Sequence, residues 1–272
     1  MNKRASSDTG SGRSSGSSKA YLVVAPSDAP DRTQAVAAAP GAAGCATAAA
    51  PAPGVSARRA KRSAREYSLG EEIANSVTHG IGAALAVAAL VLLIVKSVLD
   101  GGGILLFAAL VYGISLLLEY LMSTLYHAIA HEGAKRVFKV LDHSCIYLLI
   151  AGSYTPFCLV TLGSSGGVWL AVFVWAVTAA GVACEAFWTF RPRWVSAVLY
   201  VLLGWSVVFF IPQLWDLMAP VGFWLLAAGG LSYTVGAVFY VLKKVPYMHS
   251  IFHVFVLAGS ILQFFSIYLF VI

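Results

Sequence analysis

Seven apolar runs, each close to twenty residues, dominate the chain from residue 79 onward and leave it few ways to fold. They fall at about 79–99, 104–127, 141–162, 167–189, 194–213, 221–242 and 249–271, separated by short stretches rich in Gly, Pro or charge. Roughly 20 helical residues at ~1.5 Å each cross a ~30 Å hydrocarbon core. Lipid offers no partner to backbone N–H and C=O groups, so each run must close its own hydrogen bonds as a helix. The fold class predicted is an all-α membrane protein, a bundle of seven transmembrane helices. Composition agrees: 59% of the 272 residues are hydrophobic, whereas soluble domains hold about 45–50%.

Residues 1–65 read differently. "SSDTGSGRSSGSSK" and "AAAPGAAGCATAAAPAPG" are Ser, Gly, Ala and Pro with scattered charge, too poor in bulky apolar groups to offset ordering entropy. They predict a disordered, low-complexity cytoplasmic tail ahead of a membrane domain at 66–272. A basic segment, "SARRAKRSAREYSLGEEIANSV", leads into the first apolar run and should lie near the membrane surface.

Lys and Arg set the expected orientation. Arg58, Arg59, Lys61, Arg62 and Arg65 precede the first helix; Lys135, Arg136 and Lys139 join the second and third; Arg191 and Arg193 join the fourth and fifth; Lys243 and Lys244 join the sixth and seventh. The alternate connections "DGGG", "LGSSGG" and "WDLMAP" hold neither residue, and Lys96 is the one basic residue near them. The positive-inside rule then places the N-terminus in the cytoplasm and the C-terminus outside. This distribution also explains the net charge of +6 without nucleic acid, for which no basic and aromatic platform exists. Four cysteines without a CxxC spacing imply neither a disulfide nor a cysteine-bound metal.

The same topology gives each polar residue a depth. His127 ends the second helix, Asp142 and His143 open the third, His249 and His253 open the seventh, and His79 opens the first. All lie toward one leaflet. His249 and His253 are four residues apart, stacked on one helix face, a spacing that suits two imidazoles on one ion. Ser123 and His127 repeat it in "STLYH". One histidine from the second helix and two from the seventh would make a three-histidine Zn²⁺ site with a fourth position for water. Asp142 could bind that water or orient a ligand. Each histidine alone could equally be a polar tip at the headgroup level, and HxxxH without the glutamate of HExxH recurs by chance. Their common depth favours function, as intramembrane ionisable groups generally do. Glu72, Asn75 and His79 share a face by 3 and 4 spacing and are expected to support the ligands rather than join them. Glu119, two turns from His127, has no role assigned. Glu185 is expected to meet the Arg191 and Arg193 connection, and His143 to be solvated.

"EEIANSVTHGIGAALA", "MSTLYHAI", "LDHSCIYLLIAGSYTPF" and "HSIFHVFVLAGSILQFFSI", in that order across seven helices, resemble the hemolysin III family, within the progestin and adipoQ receptor (PAQR) superfamily. The resemblance covers about residues 66–272. It implies a seven-helix fold with a cytoplasmic N-terminus and a zinc ion near the inner leaflet on His127, His249 and His253, with Ser123 and Asp142 beside the metal. The wider group includes adiponectin receptors with ceramidase activity and is grouped with alkaline ceramidases, which implies hydrolysis of membrane amides. Gln263 departs from the pattern, standing where many relatives have another His.

The function expected is a zinc-dependent intramembrane hydrolase in the cell membrane, with membrane lipids as partners and a lipid-like amide as substrate. Asp142 would act as base or orienter and Ser123 would bind water or an oxyanion. The alternatives are a non-enzymatic, zinc-stabilised sensor or regulator of membrane state and a hemolysin-type cytolysin. The uniformly apolar helices, without a polar stripe to line a pore, stand against the last.

Overall fold

The computed structural model describes residues 67–188, 191–242 and 245–272. The tail expected at 1–65 and the basic run at 58–65 lie outside these residues. Seven helices are long and apolar enough to cross a membrane: α1 Leu69–Leu99, α2 Ile104–Ala128, α3 Glu132–Thr161, α4 Gly163–Trp188, α5 Arg193–Leu217, α6 Pro220–Val241 and α7 Met248–Phe270. Two begin well before the apolar runs do. α1 starts ten residues early because Ser68 and Glu71 form a capping box, with Ser68 Oγ accepting from Glu71 N (3.3 Å) and Glu71 Oε2 accepting from Ser68 N (2.9 Å). α3 starts at Glu132 because His131 caps it, its Nδ1 accepting from Ala134 N at 3.2 Å. A polar first turn at a membrane surface is helical but invisible to a count of apolar residues.

The bundle is apolar outside, and inside it packs a hydrophobic core that encloses the buried polar residues. Trp169, Phe187 and Phe209 are 78, 91 and 80% exposed, a display that only a lipid surround tolerates. Glu72, Asn75, His79, Glu119, Ser123, His127, Asp142, His249 and His253 are all buried. α1 packs along α2 and against α7, α2 along α3, and α6 along α7.

Contacts at the two ends fix the running directions. Glu72 near the start of α1 meets His127 near the end of α2, whereas Ser97 at the far end of α1 reaches the Leu105 carbonyl at 3.4 Å. Between them Gly101, Gly102 and Gly103 all take positive φ, which L side chains rarely adopt, and so turn the chain within a few residues. The Tyr247 amide before α7 donates to Glu71 Oε1 (2.9 Å), and Arg193 at the start of α5 reaches Tyr67. One end therefore gathers the starts of α1, α5 and α7 with the end of α2. Among the described residues, every Lys and Arg except Lys96 falls at this end.

Two helices are broken and one residue joins the breaks. α3 passes through Pro156 into π-type turns at Phe157–Thr161, and α5 tightens to 3-10 geometry at Trp205–Phe210. Tyr154, just before the first break, donates to the Gly204 carbonyl (2.6 Å) and accepts from Val207 N (2.9 Å), which ties up groups freed by the second.

Near the polar end, Glu185 pairs with Arg191, both buried, and the guanidinium also donates to Ser196 Oγ (3.0 Å) and the Tyr147 hydroxyl (3.3 Å). His143, expected in solvent, lies 3.6 Å from Glu185 Oε2 with its side chain 12% exposed. The early start of α3 explains the difference, since it carries His143 into the fourth helical turn.

Close packing supplies a stability test. A Cβ on Gly152 of α3 would overlap Ser115 Oγ and sit 3.3 Å from the Val111 carbonyl oxygen of α2, whereas one on Gly230 meets nothing within 4 Å. Gly152→Ala should lower thermal stability in detergent by about 1–3 kcal/mol, and Gly230→Ala should leave it unchanged or slightly raised.

Candidate metal centre

Three histidines from two helices converge at the polar end. The metal-capable ring nitrogens of His127, His249 and His253 all lie within 4.8 Å of one another, and the three residues are buried. His249 Nε2 and His253 Nε2 face each other at 3.1 Å, as four-residue spacing on one face of α7 requires. His127 arrives from the last turn of α2, its ring centroid 5.2 Å from that of His249 and 5.3 Å from that of His253.

α1 supplies the outer contacts that orient these rings. Glu72 Oε2 lies 2.7 Å from His127 Nδ1. A carboxylate only accepts, so Nδ1 carries the proton and Nε2 presents its lone pair. That Nε2 is buried and has no hydrogen-bond partner. Thr78 fixes His253 in the same way. Its hydroxyl donates to the Ala74 and Asn75 carbonyls (both 2.9 Å), leaving Oγ1 to accept from His253 Nδ1 at 3.3 Å. The His253 Nε2 lone pair then points at the cluster. Lys135 Nζ, 2.8 Å from Glu72 Oε1, balances the carboxylate charge and lies over the Tyr126 ring at 5.0 Å. Asn75 accepts from Ser250 Oγ at 2.6 Å, bridging α1 to α7, and its Nδ2 lies 3.5 Å from His127 Nδ1.

These donors fit a metal ion. Two nitrogens bound at about 2.0–2.1 Å to one tetrahedral ion stand ~3.3 Å apart, close to the spacing on α7. Converging lone pairs repel one another, and a cation satisfies them together. The orphaned His127 Nε2 is the donor such an ion would complete.

An aromatic cover closes the cluster. Tyr67, immediately before α1, stacks on His249 (4.9 Å between ring centroids) and sets its ring edgewise to His127 (5.6 Å). Arg193 donates to the Tyr67 hydroxyl (2.5 Å), with its guanidinium over the rings of Tyr67 (5.2 Å) and Tyr240 (5.5 Å).

The expected residues separate into groups. Glu72 and Asn75 touch His127. His79 stacks on His253 at 3.6 Å and meets Tyr120 edgewise at 5.0 Å, with both ring nitrogens buried and unpartnered. Ser123 is buried one turn before His127. Asp142 is buried on α3 and is not among the ligand atoms within 4.8 Å of one another. Thr78, Lys135, Tyr67 and Arg193 were not anticipated. Thr78 alone left a sequence signal, standing one turn after Asn75 on the face that α1 turns to His253.

Beside the cluster an apolar slot of about 180 Å³ runs between α3, α5, α6 and α7. Tyr240 and Phe252 line it and also touch His249, with ring centroids 5.9 and 5.4 Å away.

Fold and site together define a multi-pass membrane protein that buries, at one end of seven helices, a histidine cluster able to hold a metal ion. A family model described as "Haemolysin-III related" matches residues 67–264. "Hemolysin-3" of Bacillus cereus is 43% identical over 202 residues, covering 74% of this chain and 92% of the relative. "Hemolysin-3 homolog" of Bacillus subtilis (strain 168) is 41% identical over 201 residues, covering 74% and 94%. "Monocyte to macrophage differentiation factor" of Homo sapiens is 27% identical over 169 residues, covering 59% and 68%. The chain belongs to the hemolysin III family, within the PAQR superfamily.

Glu72→Gln preserves shape but removes the charge that holds the His127 proton. It should weaken metal binding roughly 10–100-fold in a competition titration with a chromogenic chelator, the usual effect of losing such a partner. Unchanged affinity would mean that Glu72 does not orient His127.

Proposed function

We propose that the chain is a zinc-dependent intramembrane hydrolase of a lipid-like amide, with its polar end toward the cytoplasm. The observation that carries this reading is the convergence of three buried imidazoles beside an apolar slot. Three nitrogen donors with a fourth position open are the donor set of catalytic Zn²⁺. When bound, zinc supplies Lewis acidity, polarising a carbonyl and bringing the pKa of a water to about 7.

The chain's own residues do the rest. His127, His249 and His253 hold the ion, and Glu72 and Thr78 keep two of those rings in the ligating tautomer. Tyr67 and Arg193 shield the cluster from bulk water. The slot takes the acyl chain, with Tyr240 and Phe252 bringing its carbonyl end against the histidines. Asp142 would take the proton of the attacking water and pass it to the amine nitrogen as the C–N bond breaks, and Ser123 would donate to the developing oxyanion. The concentration of Lys and Arg at this end supports a cytoplasmic placement.

The position of Asp142 outside the ligand group favours one other reading. Zinc would then clip α2 to α7 in a sensor of membrane state, without turnover.

Purified wild-type protein is expected to carry about one zinc per chain and to release fatty acid from ceramide or another long-chain amide, and His127→Ala and His253→Ala to lose both properties. Zinc-loaded protein that leaves these amides intact, beside an active ceramidase control, contradicts the hydrolase and leaves the clip. Chelation would then lower thermal stability alone. Zinc retained by both variants contradicts the site itself.

A further inference from the structure

The slot beside the histidines carries a second polar feature that the hydrolase reading does not use. Its lining runs along α6 from Tyr240 to Phe223, ~25 Å of helix axis, and most of it is apolar. Ser153, Tyr154, Tyr200, Tyr233 and Thr234 also line it, and each engages its hydroxyl with a protein partner. Two lining residues differ. Glu119 of α2 is 3% exposed and its Oε2 has no hydrogen-bond partner. Gln263 of α7 is 5% exposed; its Nε2 donates to the Leu226 carbonyl at 3.2 Å, which fixes the amide, and its Oε1 has no partner.

Both lie at one level of the bundle. Tyr120, next to Glu119, donates to Ser260 Oγ at 2.8 Å, and the Tyr233 hydroxyl meets the same oxygen at 2.9 Å. Gln263 follows Ser260 by one turn of α7. Glu119 is eight residues from His127, ~12 Å along α2, so this level is separate from the histidine cluster.

A buried acceptor without a donor is expensive, and Glu119 also feels the charge of a second buried carboxyl group, Asp142, which a cation would offset. Two such acceptors on the wall of one slot call for a ligand that brings several donors and a positive charge. A hydroxyl offers one donor and no charge, a carboxylate repels Glu119, and a primary ammonium offers three N–H groups and neutralises it. We propose that the slot binds a long-chain primary amine, with its ammonium on Glu119 and Gln263 and its chain along the apolar wall.

Trp205 lines the slot and reports occupancy. Protein in uncharged phosphatidylcholine nanodiscs would be titrated with 12-bromododecylamine, 12-bromododecanol and 12-bromododecanoate, whose bromine quenches tryptophan, using Trp205→Phe to subtract the other tryptophans. The amine should quench saturably and bind at least tenfold tighter than the alcohol or the acid. Glu119→Gln should weaken the amine roughly tenfold to a hundredfold and leave the alcohol unchanged. Equal or tighter binding of the acid, no saturable quenching by the amine, or an amine preference that survives in Glu119→Gln would overturn the proposal. If Glu119→Gln does not fold, the order of the three ligands on wild type still decides it. Amine binding should persist in His127→Ala, so a failed hydrolase reading and a failed amine site give different results.

Discussion

In hydrocarbon no water completes a broken hydrogen bond, so every polar group this chain carries into the bilayer must find its partner inside the bundle. The backbone meets that condition as seven helices. Side chains meet it as networks: Lys135 to Glu72 to His127, Ser250 to Asn75, Glu185 to Arg191. Among the described residues some buried side-chain atoms do not meet it, and several of these gather in two places. His127 Nε2 lies in the histidine cluster with both nitrogens of His79 close by, and Glu119 Oε2 and Gln263 Oε1 lie on the wall of the slot. Binding of an ion or a ligand is one way a native fold satisfies such atoms.

The cluster depends on α1 as much as on the helices that carry its ligands. Four residues of α1, Glu72, Asn75, Thr78 and His79, fall on one helical face, and that face meets both α2 and α7. Glu72 orients His127 and Thr78 orients His253, so a shift of α1 would turn two rings at once. Tyr67 and Arg193 add a cover that links the start of α1 to α5. The capping box at Ser68 matters for the same reason, because it holds the first turn of α1, and with it Glu72, in register.

Much of this was legible in the sequence, because hydropathy counts residues and the bilayer sets the count. The seven spans followed from run length, and the meeting of His127, His249 and His253 followed from depth and four-residue spacing. Helix starts were not legible where the first turn is polar, which is why α1 and α3 begin about nine or ten residues before their apolar runs and why His143 is inside rather than in solvent. Rotation about a helix axis was not legible either. Depth places Asp142 level with the cluster, yet it is not among the ligand atoms that converge there. Thr78 stood on the legible face of α1, but only packing shows that it meets His253 and that Lys135 meets Glu72.

X-ray absorption at the zinc K edge of the purified protein measures the convergence most directly. Three imidazole nitrogens and one further light donor at about 2.0–2.1 Å are expected. Sulfur scattering, or an ion with fewer than three imidazoles, would contradict a centre built from His127, His249 and His253.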